Sequence, residues 1–138
     1  MLNHGIKEGL CITYKRETTV SDAYISNDST IDYLLSTPAL ISMIIDASCK
    51  MLDKLLPNEY ITVGSRVDIA HVNPTLIGET ITLTINVEKV EGNKIILNII
   101  VNDSNSIVCK GKCERIIVNK DKLMELAYKR VESSLVKL

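Results

Sequence analysis

From residue 80 onward the chain alternates: Ile81, Leu83, Ile85 and Val87 are apolar, while Thr80, Thr82, Thr84, Asn86 and Glu88 are polar. A period of two places the sets on opposite faces of an extended chain, so Thr80 to Val90 reads as a half-buried antiparallel strand. Glu91-Gly92-Asn93 turns into a strand over Lys94 to Asn102, and Asp103-Ser104-Asn105 turns into another over Ser106 to Val118. Upstream, Pro57-Asn58-Glu59 precedes a strand that ends at His71, and one more is expected near Leu10 to Lys15. Strict alternation puts Val63, Ser65, Val67, Ile69 and His71 on one face and Arg66 and Asp68 on the other. The last four strands are expected to pair in chain order, as a meander.

Between the first strand and the rest, the period changes. Thr37-Pro38 is a helix start, because threonine can cap free backbone N–H groups and proline suits the first turn. The helix is expected to reach about Leu56. Its apolar residues, from Leu40 and Ile41 to Leu55 and Leu56, leave only a narrow polar stripe through Ser42, Asp46, Lys50 and Asp53/Lys54, which predicts burial on most sides. Ser21 to Ser36, rich in Ser, Asp and Asn, reads as a loop or short helix, either a plain surface loop or a lid over a pocket. Asp121 to Leu138 is amphipathic, with Leu123, Leu126, Ala127, Val131 and Leu135 at helical spacing and Asp121 as its expected cap.

The sum is an α+β fold, one antiparallel sheet wrapped around a long central helix, with an added C-terminal helix over about 121–138. Ile96 and Ile100 lie opposite Ile95, Leu97, Ile99 and Val101, so part of the outer sheet face is expected to be covered, by a second subunit or by the C-terminal helix. A length of 138 residues and the absence of linkers or repeats fit a single domain.

Charge and composition then remove several function classes. With 16 Lys and Arg against 17 Asp and Glu, and neither Phe nor Trp, the chain offers neither a basic surface nor stacking rings for nucleic acid. It has no membrane-length apolar run and no secretory leader at its start, so a cytoplasmic protein without membrane attachment is expected. Cysteines 11, 49, 109 and 113 form no CxxC pair. If Cys109 and Cys113 share a strand they lie about 13 Å apart, too far for a disulfide, and reduced thiols without metal are expected.

The candidate chemistry centres on His71. An imidazole at the end of an apolar face is either a satisfied core group or a proton carrier at a pocket rim, since it changes charge near neutral pH. Thr37 is likewise either a simple cap or a reactive hydroxyl. The motifs are Ser36-Thr37-Pro38-Ala39-Leu40, Thr62-Val63-Gly64-Ser65-Arg66-Val67-Asp68, His71-x-x-Pro74-Thr75-x-x-Gly78 and Gly111-x-x-x-Arg115. In their order along residues 10 to 120, they resemble the hotdog-fold thioesterases of the fluoroacetyl-CoA thioesterase-like group.

The resemblance implies cleavage of a small or medium acyl-CoA thioester without cofactor or metal. It also implies a homodimer or dimer of dimers, with active sites near the subunit interface. Thr37 and His71 match the catalytic threonine and histidine, and Tyr33, Ile45, Gly64, Ser65 and Arg115 are assigned to the substrate site. Two positions depart from the family pattern: Ile45 stands where the family has a catalytic glutamate, and Cys113 where it has a histidine. Asp46 either replaces that carboxylate or pairs with Lys50 on the surface, the latter favoured by their i,i+4 spacing. Cys49 and Cys113 read as core residues, and Arg115 and Lys112 either meet CoA phosphates or belong to a solvated strand face. The rivals to hydrolysis are a non-hydrolytic acyl-CoA binding or sensing module and a hydratase or dehydratase, the latter weakened by the same missing carboxylate.

Overall fold

The computed structural model describes residues 2–24 and 33–136. Strand β1 is Cys11–Glu17, helix α1 Thr37–Asp53, β2 Tyr60–His71, β3 Thr80–Glu91, β4 Lys94–Asn102, β5 Ile107–Asn119 and α2 Lys120–Val136. The alternation seen in the sequence becomes the core directly. In β3 and β4, Ile81, Leu83, Ile85, Val87, Ile95, Leu97, Ile99 and Val101 are all buried. They join the buried face of α1, formed by Leu40, Met43, Ile44, Ala47, Met51 and Leu52, in one hydrophobic cluster.

The sheet is antiparallel with order β1-β3-β4-β5-β2. The expected four-strand meander is therefore corrected: β3, β4 and β5 form one, but β2 pairs beyond β5 on the far edge. The connection from β2 to β3, Val72 to Glu79, is too long for the tight turn that makes sequential strands neighbours. It packs instead on the approach to α1, where Leu34 and Leu76 form a bridge.

Strand β2 also departs from strict alternation. Gly64 lies opposite Arg115 and Arg66 opposite Glu114, which makes Ser65 the extra residue of a bulge. One inserted residue reverses the face of everything before it. Val67, Ile69 and His71 stay on the inner face opposite Cys113, Gly111 and Cys109, whereas Val63 turns outward opposite Ile116.

Both helices correct details of the sequence reading. Ser36, not Thr37, caps α1: its Oγ accepts the Ala39 N–H at 3.1 Å, which makes Thr37 and Pro38 the first helical residues. The helix ends at Asp53 and is buried on one side only, with Ile45 38% exposed. Asn119 rather than Asp121 caps α2, accepting the Lys122 N–H at 3.0 Å. Met124, Leu126, Tyr128 and Val131 of that helix are exposed and so cover no outer sheet surface. Ile96 is shielded by long charged side chains around it, among them Lys112 and Glu88, paired at 2.9 Å.

The four cysteines are free thiols, and burial pushes the Cys109 thiol up to about 11. Among the described residues no helix is long and apolar enough to cross a membrane.

Gly111 sets the approach of β5 to β2. A Cβ there would lie 2.6 Å from Ile69 Cα, backbone that cannot yield like a side chain. Gly111→Ala is expected to destabilise the fold by about 1–3 kcal/mol, read as a shifted urea midpoint; an unchanged midpoint contradicts this account of the strand pair.

Candidate active site

His71 is the last residue of β2, and the chain is pinned immediately after it. Val72 and Asn73 donate their N–H groups to Val108 O at 2.8 and 3.3 Å, and Asn73 Nδ2 donates to Ile107 O at 2.7 Å. Thr37 is the first residue of α1. Because Ser36 does the capping, the Thr37 hydroxyl is free to turn toward the strand, where Oγ1 lies 2.8 Å from His71 Nδ1. A hydroxyl that donates to Nδ1 leaves the ring proton on Nε2. That second nitrogen is buried and has no hydrogen-bond partner among the described residues.

The helix start supplies fewer donors than a generic one. The Ala39 N–H goes to Ser36 Oγ, the Leu40 N–H goes to Ser36 O at 3.1 Å, and Pro38 has none. Among the described residues, only the Thr37 N–H of this turn is left without an acceptor, at the positive end of the helix dipole. Thr37 and His71 line a cleft of about 380 Å³ together with Tyr24, Leu34, Leu35, Val72, Asn73 and Pro74.

The other residues assigned to the site lie elsewhere. Tyr33 is exposed, with a left-handed φ of 53°, and does not line the cleft. The loop or lid expected over Ser21 to Ser36 falls partly outside the described residues. Ile45 sits eight residues along α1 from Thr37, about 12 Å of helix rise. Gly64 and Ser65 occupy the β2 bulge, about 20 Å of strand from His71. Asp46 is paired with Lys50 at 3.0 Å on the exposed side of the helix, as the surface reading expects.

Arg115 does not lie on a solvated strand face. It is buried on the inner face of β5, where Nε donates to Thr62 Oγ1 at 2.9 Å and Nη2 donates to Thr62 O at 2.8 Å and to Cys49 Sγ at 3.0 Å. Thr62 in turn gives its hydroxyl and its N–H to Asp53 Oδ1, at 2.7 and 3.0 Å. The aspartate balances the buried guanidinium through one intervening hydroxyl. Desolvation raises the Cys49 thiol above its ordinary range despite the nearby Arg115 charge, which fits a packed thiol rather than a nucleophile. Thr62 opens one of the motifs but nothing in it points to Arg115, and Asp53 carries no motif signature, so this relay is visible only in the folded chain.

The family model described as FlK, fluoroacetyl-CoA-specific thioesterase, matches residues 16–121, well over half of the chain. The chain belongs to that thioesterase family. A hot-dog-like protein from Thermanaerovibrio acidaminovorans is similar in structure, with a TM-score of 0.82 at 27% identity over 89% of this chain and 91% of its own. The fluoroacetyl-CoA thioesterase FlK has a TM-score of 0.82 at 16% identity, covering 91% of this chain and 97% of its own. A thioesterase superfamily member from Thermus thermophilus gives 0.81 at 19% identity over 97% and 98%. No curated protein sequence matches the chain. The five-stranded antiparallel sheet and its helices are a hotdog fold, as expected.

In this thioesterase-family chain the Thr37–His71 pair and the Arg115 relay form two polar groups beside the same helix. Thr62→Val removes the hydroxyl between Asp53 and Arg115 and should cost about 2–3 kcal/mol, since hydrogen bonds to charged groups are lost in a buried place. Thr62→Ser should cost distinctly less in the same denaturation series; equal losses would mean that packing, not the relay, matters at this position.

Proposed function

We propose that the chain hydrolyses the thioester of a small or medium acyl-CoA as a cytoplasmic homodimer, with Thr37 and His71 as the reacting pair. The observation that carries this reading is the 2.8 Å contact between Thr37 Oγ1 and His71 Nδ1 in the wall of an open cleft. A threonine hydroxyl is a weak nucleophile until a base takes its proton, and this contact is the geometry that transfer needs. Thr37 Oγ adds to the thioester carbonyl carbon as its proton passes to Nδ1. The Thr37 N–H and the helix dipole face the oxyanion. The carbon–sulfur bond then breaks and the imidazolium returns the proton to sulfur, releasing CoA. Water, deprotonated at Nδ1, then adds to the ester carbonyl carbon, and the bond from that carbon to Thr37 Oγ breaks as the imidazolium returns the proton to Oγ, freeing the acid.

Among the described residues Nε2 has no acidic partner to stabilise the imidazolium, so turnover is expected to be slow. The same observation, with Ile45 in the glutamate position, favours one alternative: a non-hydrolytic acyl-CoA binding module. A panel of acyl-CoA substrates, with binding measured beside turnover, separates the two. Under the hydrolase reading His71→Ala should lower kcat about 100-fold or more with the fold retained, and Thr37→Ala should abolish any acyl adduct seen by mass spectrometry. Tight binding without turnover in the wild type selects the binding module.

The subunit arrangement is supported by the free edge of β2. Val67, 39% exposed on the inner face of that strand, and Ile45 on α1 leave apolar surface beside an unpaired strand edge, which a second copy can cover. Within one chain a carboxylate at position 45 cannot reach Thr37 along about 12 Å of helix, so it acts only across such an interface. Ile45→Glu should therefore raise turnover in a folded dimer, matched by thermal melts. A particle near 15.3 kDa in sedimentation at micromolar concentration would exclude the dimer.

A further inference from the structure

We propose that Thr75 and Asp103 are positioning residues that hold Thr37 and His71 at hydrogen-bonding distance. Thr75 lies in the β2–β3 connection, yet it is 1% exposed, an unusual burial for a loop hydroxyl, which then needs a partner. Its Oγ1 donates to Asp103 Oδ2 at 2.9 Å. The other oxygen of Asp103 accepts the N–H groups of Asn105 and Ser106 at 2.8 and 3.0 Å, so the carboxylate is fixed by its own turn. The Ser106 amide, helped by the Asn105 amide and the Thr75 hydroxyl, holds the Asp103 carboxyl below the usual carboxylate range and keeps it an anion at neutral pH.

On its other side Thr75 reaches the start of α1. Its carbonyl accepts the Leu35 N–H at 2.9 Å, two residues before Thr37, and the Ile77 N–H bonds Tyr33 O at 2.7 Å. The turn that holds Asp103 leads into Ile107 and Val108, whose carbonyls hold Asn73 and Val72 just after His71. Thr75 thus ties the segment entering Thr37 to the turn that anchors the segment leaving His71. Two residues 34 apart in sequence meet at 2.8 Å through this bracket. A shift of well under 1 Å in either segment breaks that contact, and misplacement on this scale costs catalysis steeply.

The catalytic consequence rests on the hydrolase reading, whereas the positioning itself does not, and the test reads both. The chain has two histidines, so ¹⁵N spectra of the imidazoles, with His4→Gln as the assignment control, report how His71 Nδ1 is bonded. Thr75→Val should move the His71 signals toward those of Thr37→Ala and lower kcat roughly 10- to 100-fold with little change in KM. Thr75→Ser should restore both. If Thr75→Val does not fold, Asp103→Ser still keeps a short acceptor for the turn amides but cannot reach Thr75, and it should show the same signature. His71 signals unchanged in a folded variant overturn the proposal whatever the activity. Shifted signals in a protein that never hydrolyses acyl-CoA uphold the positioning and defeat the hydrolase reading instead.

Discussion

A helix must satisfy its first backbone donors, and how α1 does so decides what Thr37 is free to do. Ser36 takes the Ala39 N–H through its side chain and the Leu40 N–H through its carbonyl, while Pro38 removes a third donor from the count. Had Thr37 capped the helix, its hydroxyl would be spent on the backbone and His71 would face an apolar wall. Moving the cap back by one residue releases a hydroxyl at the positive end of the dipole and leaves beside it the one N–H of this turn without an acceptor among the described residues. The pairing with His71, the shape of the cleft and the reaction it can support all follow from that one-residue offset.

The strand side of the site has its own constraint. His71 points inward because the bulge at Ser65 lies six positions before it and leaves the register from Val67 onward intact. The same bulge lets Thr62 and Gly64 face Arg115, so one irregularity serves both polar groups. A buried guanidinium is costly unless its charge is answered, and Asp53 answers it through Thr62 without entering the core itself. The arrangement ties the end of α1 to β2 and β5, just as the Thr75 bracket ties its beginning to the opposite end of the sheet.

Some of this could be read from the residues and some could not. The periods of β3 and β4 are unbroken, so their core positions follow from alternation alone, and Thr37 and His71 stand out because their motifs frame them. Ser65 gives no sign of being an extra residue, because Val63 and Val67 are both apolar and suit either register; the face reversal emerges only from pairing with β5. Strand order was hidden for a related reason: alternation fixes which face a residue occupies, not which neighbour its strand takes. Arg115 looks like any strand-face cation until Thr62, Asp53 and Cys49, all more than fifty residues before it, are brought around it. Ser36 and Thr37 are both capping types in adjacent positions, and only geometry chooses between them.

The substitution at Ile45 matters less through its own contacts than through what His71 lacks. When a neutral imidazole accepts a proton at one nitrogen, positive charge spreads to the other, and where that nitrogen is buried the charge needs a fixed partner. Here the other nitrogen is buried against the protein with no acceptor among the described residues. Under the proposed hydrolysis the proton transfer from Thr37 is thus geometrically ready, but no described residue supports the charge it creates. A carboxylate added on α1 of the same chain does not repair this, since it lies two helical turns away. Among the described residues of one chain nothing supplies that partner, so under the proposed hydrolysis the exposed Val67 and Ile45, where a second copy can sit, bear on the chemistry as directly as the Thr37–His71 contact.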